Sequence, residues 1–230
     1  MRRRTTATFF AMTALFLALA ATPAAAEDKG GWEAVGVYDD VRVERKTVPG
    51  SPLFAFRGEF IADVHIGKVI SVFIDRDQRK FWVDRFAETA LIEKGSELSE
   101  TYWIHFALPF PIKDRDYVLR ADAEMNPDTH VFTAKIKSVE DARRGEEKCC
   151  VRADAKNTYY RFEALPGGKT RLFVEVHTDP KGSLPNWLIN MIQKKWPSKT
   201  LSRLVKRARE AGTIPAELAN WHGSAPAAAQ

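Results

Sequence analysis

Residues 117–125, YVLRADAEM, alternate without a break. Tyr117, Leu119, Ala121, Ala123 and Met125 fall on one side of an extended chain. Arg120, Asp122 and Glu124 fall on the other, with Val118. Successive side chains of a strand point to opposite faces, so this run reads as a half-buried antiparallel strand. Residues 131–139 repeat the pattern after the turn Asn126-Pro127-Asp128. There Phe132, Ala134 and Ile136 oppose Lys135 and Lys137, and the two runs make a hairpin. A sheet with one apolar face cannot stand alone in water; it needs further strands and a cover.

The rest of the chain supplies both. Runs at 35–45, 53–62, 86–94, 98–107, 159–164 and 171–178 read as strands, the last two joined by Pro166-Gly167-Gly168-Lys169. Tyr102, Ile104 and Phe106 share one strand face, as do Phe54, Phe56 and Phe60. Leu172, Val174 and Val176 oppose Arg171, Glu175 and His177. A short amphipathic helix fits 65–74. A long one fits 184–211, where Leu184, Trp187, Leu188, Met191, Leu201, Leu204, Val205 and Ala208 keep helical spacing. Pro197 is expected to kink it. The fold class is α+β, with the long helix as the cover.

The N-terminus has its own logic. Arg2, Arg3 and Arg4 precede an apolar stretch from Phe9 to Ala21, and Ala24-Ala25-Ala26 offers small residues for cleavage. This reads as a secretory signal over 1–26, with an uncleaved anchor as the alternative. No cysteine follows the stretch, which argues against a lipoprotein. A domain at 27–213 and a flexible tail at 214–230 complete the division. The chain has 35 Lys and Arg against 30 Asp and Glu; three arginines lie in 1–26, so 32 face 30 in the remainder. That balance of +2 removes the global support for nucleic-acid binding. The two cysteines, Cys149 and Cys150, are adjacent. Adjacent Cα atoms sit about 3.8 Å apart, short of the usual bridge span of ~4.4–6.8 Å, so two free thiols are expected, with a strained vicinal bridge as the alternative that an oxidising compartment permits. No histidine lies nearby in sequence, and no metal site is expected.

A catalytic constellation is not found. The histidines at 65, 105, 130, 177 and 222 lack the spacing of a zinc protease helix. No G-x-S-x-G elbow, phosphate loop or dinucleotide fingerprint occurs, so no cofactor is expected. His177 falls on a polar strand face and reads as a surface histidine. His105 lies in an aromatic strand and reads as a hydrogen-bonded structural one.

Three motifs resemble START domains, the lipid-transfer modules related to the steroidogenic regulatory protein. The first is Pro109-x-Pro111-x-x-Asp114-Arg115-Asp116-Tyr117-Val118, a proline corner with Arg-Asp leading into a strand. The second runs Lys181-Gly182-Ser183-Leu184-Pro185-Asn186-Trp187-Leu188-Ile189-Asn190, like the start of the family's C-terminal helix. The third is Phe81-Trp82-Val83-Asp84. Order and spacing agree over residues 32–211, nearly all of the chain after the signal. The resemblance implies a helix-grip fold, a curved antiparallel sheet around a tunnel closed by the C-terminal helix. Lys113, Asp114, Arg115 and Asp116 are expected to pair locally and pin the corner. Some members place an acidic and a basic residue inside the tunnel; the corresponding positions here are Tyr102 and Ala121, so that charge pair is expected to be absent.

The implied function is non-catalytic binding of a lipid or other hydrophobic small molecule in an internal cavity, extending to its transfer, in the periplasm or outside the cell. The expected lining is Tyr102, Ile104, Phe106, Tyr117, Leu119, Phe132, Ile136, Leu172, Val174, Trp187, Leu188 and Met191. Lys194, Lys195 and Lys199 are expected to face an anionic membrane surface. The alternative is a helix-grip enzyme of the cyclase or aromatase kind, which needs an acid or base in the pocket.

Overall fold

The computed structural model describes residues 31–223; the expected signal at 1–26 and residues 224–230 lie outside them. The elements run β1 (Glu33–Tyr38), β2 (Val41–Lys46), β3 (Ala55–Ala62), α1 (Ile66–Ile74), α2 (Arg79–Trp82), β4 (Phe86–Ser96), β5 (Ser99–Phe106), β6 (Asp114–Asn126), β7 (Val131–Ser138), β8 (Cys150–Arg152), β9 (Asp154–Leu165), β10 (Lys169–Asp179), α3 (Asn186–Gln193) and α4 (Trp196–Ala211). The strands form one sheet in the order β1-β2-β3-β10-β9-β7-β6-β5-β4. Every pairing along that path is antiparallel, while β8 pairs parallel with the start of β6.

Local chemistry sets the connections. The run expected as one strand over 35–45 is a hairpin, because Asp39 and Asp40 both adopt positive φ (49° and 63°). Two left-handed residues make the tight turn that matches strand twist, and aspartate tolerates that region. The Asn126 side chain accepts from the backbone N–H groups of Asp128 and Thr129, which closes the β6–β7 turn. The imidazole of His65 accepts from the N–H of Gly67 and so caps α1.

The expected single helix over 184–211 is two helices. α3 ends at Gln193, and Pro197 lies in the first turn of α4. A first-turn proline gives up no intrahelical bond, so Pro197 begins a helix rather than kinking one. α4 then lays Leu201, Leu204, Val205 and Ala208 on the sheet, all essentially without solvent exposure. Its start sits very close to β3: a Cβ at Gly58 would lie 2.8 Å from Pro197 Cβ and 3.0 Å from Val41 Cγ1. Gly58→Ala is therefore expected to lower stability by about 1–3 kcal/mol, read as a shifted urea midpoint at unchanged slope.

The segment after α4 does not hang free, contrary to the expected tail from 214. Leu218 and Trp221 are buried in the main core. Trp221 stacks on His130, whose ring also meets the carbonyl of His222 at 2.8 Å. The alanine-rich sequence beyond 223 hides two well-placed apolar anchors before it.

Candidate ligand cavity

The concave side of the sheet is solid at one end only. Phe73 from α1 meets Trp82, Phe132, Tyr160 and Phe162 with ring centroids 4.8 to 5.6 Å apart. Toward the other end, inward positions become small. Ala121 and Ala123 of β6, Ala134 of β7 and Ala155 of β9 line a cavity of ≈ 330 Å³. In the ladder Ala123 faces Ala134, and Ala121 faces Ile136. Facing alanines leave space that larger core side chains would fill. The volume lies at the lower end of ligand pockets, ~300–1,000 Å³.

Six of the expected lining residues stand on this wall: Tyr102, Ile104, Phe106, Tyr117, Leu119 and Ile136. Six do not. Phe132, Leu172 and Val174 point inward, but at the solid end, with no exposure at all. Alternation assigns a side chain to a face and is silent about height along the strand. Trp187 and Met191 stand outside on α3, 68% and 54% exposed, and Leu188 is half-buried away from the cavity. Ile189, Ile192 and Gln193 form the inner side instead. α3 is apolar on both sides, so helical spacing selects the wrong one.

The expected basic face also breaks up. Lys195 is exposed, but Lys194 is half-buried with its ammonium 5.7 Å from the Tyr38 ring centre. Lys199 lines the cavity and lies 3.6 Å from Asp84, which Arg203 also meets at 2.9 Å. These contacts tie α4 to the chain after α2.

Charge enters the cavity from other positions than Tyr102 and Ala121. Glu100 lies on the same face of β5 as Tyr102, two residues upstream. Its carboxylate accepts from Arg76 at 2.8 Å and from Arg79, whose guanidinium lies 4.2 Å from the Tyr102 ring centre. All four residues line the cavity. Burial works to raise the Glu100 pKa, but the charges and hydrogen bonds of Arg79 and Arg76 outweigh it, and the carboxyl titrates below its ordinary 4.5. Burial pushes the phenols of Tyr102, Tyr117 and Tyr160 upward, so all three stay neutral. Four buried polar atoms of the wall have no hydrogen-bond partner: Arg76 Nε, Arg79 Nη1, Trp82 Nε1 and Thr200 Oγ1.

A pH dependence follows from Glu100. Its folded pKa lies below the unfolded one, so the ion cluster contributes stability above about pH 4.5, lost as pH falls through the lower folded value. Glu100→Gln is expected to be less stable than the parent near neutral pH, and urea midpoints of the two should converge between about pH 5 and pH 3.

α3 closes the cavity with few anchors; among its residues only Ile189 is fully buried. Gln193 Nε2 donates to the carbonyl and hydroxyl of Thr178 at 3.0 and 2.9 Å. Asn190 Oδ1 accepts from the N–H of Phe54 at 3.1 Å. The segment leading into α3 is held by Arg115, which donates to the carbonyls of Pro180 at 2.7 Å and Lys181 at 3.0 Å. So the charges of the 113–116 corner do not neutralise one another as expected. Arg115 reaches across to the α3 approach. Asp114 accepts from the Leu108 N–H and from His105, both at 2.8 Å. Asp116 takes Trp103 and Arg152. His177, expected at the surface, is half-buried with its Nε2 3.2 Å from Ser51 Oγ.

A curved antiparallel sheet closed over an internal cavity by C-terminal helices is a helix-grip protein. The START domain model matches residues 18–214, and the chain belongs to that family. A protein of Pseudomonas aeruginosa is 27% identical over 187 residues, 81% of this chain and 90% of its own. The mouse phosphatidylcholine transfer protein is 26% identical over 137 residues, 59% of this chain and 63% of its own. The crystal structure of a STAR-related lipid transfer protein from Xanthomonas axonopodis superposes with a TM-score of 0.69 at 25% identity, covering 78% of this chain and 99% of that one.

Proposed function

We propose that this protein carries one lipid in its cavity, in the periplasm, and passes it between membranes without chemistry. The observation that carries this reading is the composition of the cavity wall: an apolar surface opened by facing alanines, with a patch of unpaired buried polar atoms. Buried polar groups in folded proteins are almost always paired. Arg79 Nη1 and Trp82 Nε1 are donors suited to oxygens of a lipid headgroup, while Ile104, Leu119 and Ile136 suit its chain. Burying an acyl chain returns about 0.8 kcal/mol per CH₂, about 13 kcal/mol for 16 carbons. A volume of ≈ 330 Å³ suits a compact or single-chain guest; a larger lipid requires α3 to move outward. Lipid transfer in named relatives supports the reading, and the apolar stretch within 1–26 supports the compartment. Native mass spectrometry of protein purified from periplasm tests it, together with transfer between donor and acceptor vesicles. A protein that leaves the cell envelope empty and takes up no vesicle lipid refutes it.

Of the acids that line the cavity, Asp84 is tied to Lys199 and Arg203 and Glu97 is exposed, which leaves Glu100 for the role the enzymatic alternative needs. Two arginines hold it ionised and hydrogen-bonded, which makes it a poor proton acceptor. Binding without catalysis therefore fits it better.

Membrane contact in this reading uses apolar groups more than lysines. Phe110 is 97% exposed on the corner beside Leu108, and Trp187 and Met191 stand out from α3. Leu108 and Leu184 both line the cavity, so these groups flank its mouth. Trp187→Glu is expected to cut vesicle co-sedimentation about tenfold or more, the effect of withdrawing one large apolar side chain from the interface. Lys195→Glu is expected to do less.

A further inference from the structure

The cysteines sit on the convex face of the sheet, away from the lipid cavity. β8 runs parallel to the start of β6, with Cys150 opposite Asp114 and Arg152 opposite Asp116. On the other side of β6, His105 of β5 is paired with Asp116. His105, Asp114 and Cys150 thus stand on three adjacent strands. Cys149 and Cys150 are joined in a disulfide, where two thiols were expected. One imidazole nitrogen of His105 and the two sulfurs all lie within 4.8 Å of one another. Sequence alone found no histidine near the cysteines; the β5–β6–β8 pairing brings one from 44 positions away.

We propose that His105, Cys149 and Cys150, once the bridge is reduced, form a binding site for a thiophilic divalent cation such as zinc. Zinc holds sulfur at about 2.3 Å and imidazole nitrogen at about 2.0–2.1 Å, which places neighbouring ligand atoms roughly 3.5 Å apart. Once the bridge is reduced the two sulfurs spread from bonding distance to that spacing, and the His105 nitrogen, already within 4.8 Å of both, has only a short way to close. A carboxylate holds the ring: His105 Nε2 lies 2.8 Å from Asp114 Oδ2, and in the tautomer that donates to it the other ring nitrogen keeps its lone pair. Asp114 is itself fixed by the Leu108 N–H. Metal-ligating histidines are commonly held by a carboxylate in this manner. Three protein donors leave a fourth position for water, as in exchangeable rather than closed zinc sites. Access is not obstructed, since Cys149 is exposed, and exposed bridges are the labile kind.

The chemistry balances simply. A trialkylphosphine reduces the bridge, taking one oxygen from water to become the phosphine oxide and leaving two thiols. The cation then displaces two thiol protons and forms two metal–sulfur bonds. The oxidised and metal-bound states exclude each other.

The test is cadmium titration of the full mature protein, with and without phosphine reduction under anaerobic conditions, read by the thiolate-to-cadmium charge-transfer absorption. Zinc competition then gives its affinity. Reduced protein should bind one ion per chain and oxidised protein none. His105→Asn should weaken binding at least about tenfold, the loss seen even for outer-shell changes. Cys149→Ser with Cys150→Ser should abolish it. If any variant fails to fold, zinc-induced shifts of the His105 ring resonances in the reduced parent replace it. Equal uptake by reduced and oxidised protein overturns the proposal, as does a His105 ring that does not respond. None of these readouts depends on a bound lipid.

Discussion

Ala121→Trp is expected to leave a folded protein that no longer retains lipid. Ala121 lies on the cavity wall opposite Ile136, half-buried at the middle of β6. An indole there points into open space, so the sheet and the solid end need not repack. Its cost to stability is then small, unlike enlargement of a filled core site. Its cost to binding is large. Denying the guest even four methylenes removes about 3 kcal/mol, more than 100-fold in affinity. The measurement is lipid recovered per protein by native mass spectrometry, with the thermal midpoint as control. A midpoint unchanged within a few degrees and lipid content near zero is the expected pair of results. Retained lipid with an intact fold would place the guest elsewhere. Ala155→Trp, entering from β9, should reproduce the effect.

The alanines also show what sequence reading reaches and where it stops. Period-two alternation located β6 and β7, their hairpin and their inward faces, since one buried face imposes the pattern on every second residue. It did not separate Leu119, which lines the cavity, from Leu172, which is sealed in the solid end. That difference depends on how far along each strand the aromatic cluster around Phe73 extends, a property of the assembled sheet. The signal that could have marked the cavity was smallness, as at Ala121, Ala123, Ala134 and Ala155, and smallness in a strand invites no notice. α3 was misjudged for the opposite reason. Apolar residues surround it, so spacing offered Trp187 and Met191 as readily as Ile189 and Ile192. The Arg79–Glu100 pair was hidden because its members are 21 positions apart, one on a helical turn and one on a strand. β8 was missed because three residues carry no period. The resemblance in the motifs around Arg115, Trp82 and Trp187 gave the helix-grip fold, which strand and helix patterns alone left as an α+β domain.

Asp116→Ala carries the largest expected loss of stability. Asp116 has no solvent exposure, and its Oδ2 accepts from Trp103 Nε1 at 2.8 Å and from Arg152 Nη2 and Nε at 2.8 and 3.1 Å. Trp103 is itself buried, and Arg144 lies 4.0 Å from its ring centre. Arg152 in turn donates to the carbonyls of Arg144 and Gly145, so this carboxylate anchors the whole stretch that leads into β8. Removing it leaves an indole N–H buried without a partner and a guanidinium without its counter-charge. A fully buried broken pair costs about 3–5 kcal/mol, but Arg152 is 23% exposed and recovers some hydration. The expected loss is about 2–4 kcal/mol, a fall in thermal midpoint of roughly 5–15 °C for a domain of this size. Asp116→Asn separates the two contributions. Its amide oxygen can still accept from Trp103, and its amide nitrogen takes the place of Oδ1, which has no partner to lose. The Asn variant should therefore fall between the parent and Ala, with the remaining deficit shared by the lost counter-charge of Arg152 and the buried amide NH2, which has no acceptor at the Oδ1 position. If Asn and Ala are equally destabilised, the charge rather than the indole hydrogen bond holds this corner; if both match the parent, the corner does not depend on Asp116.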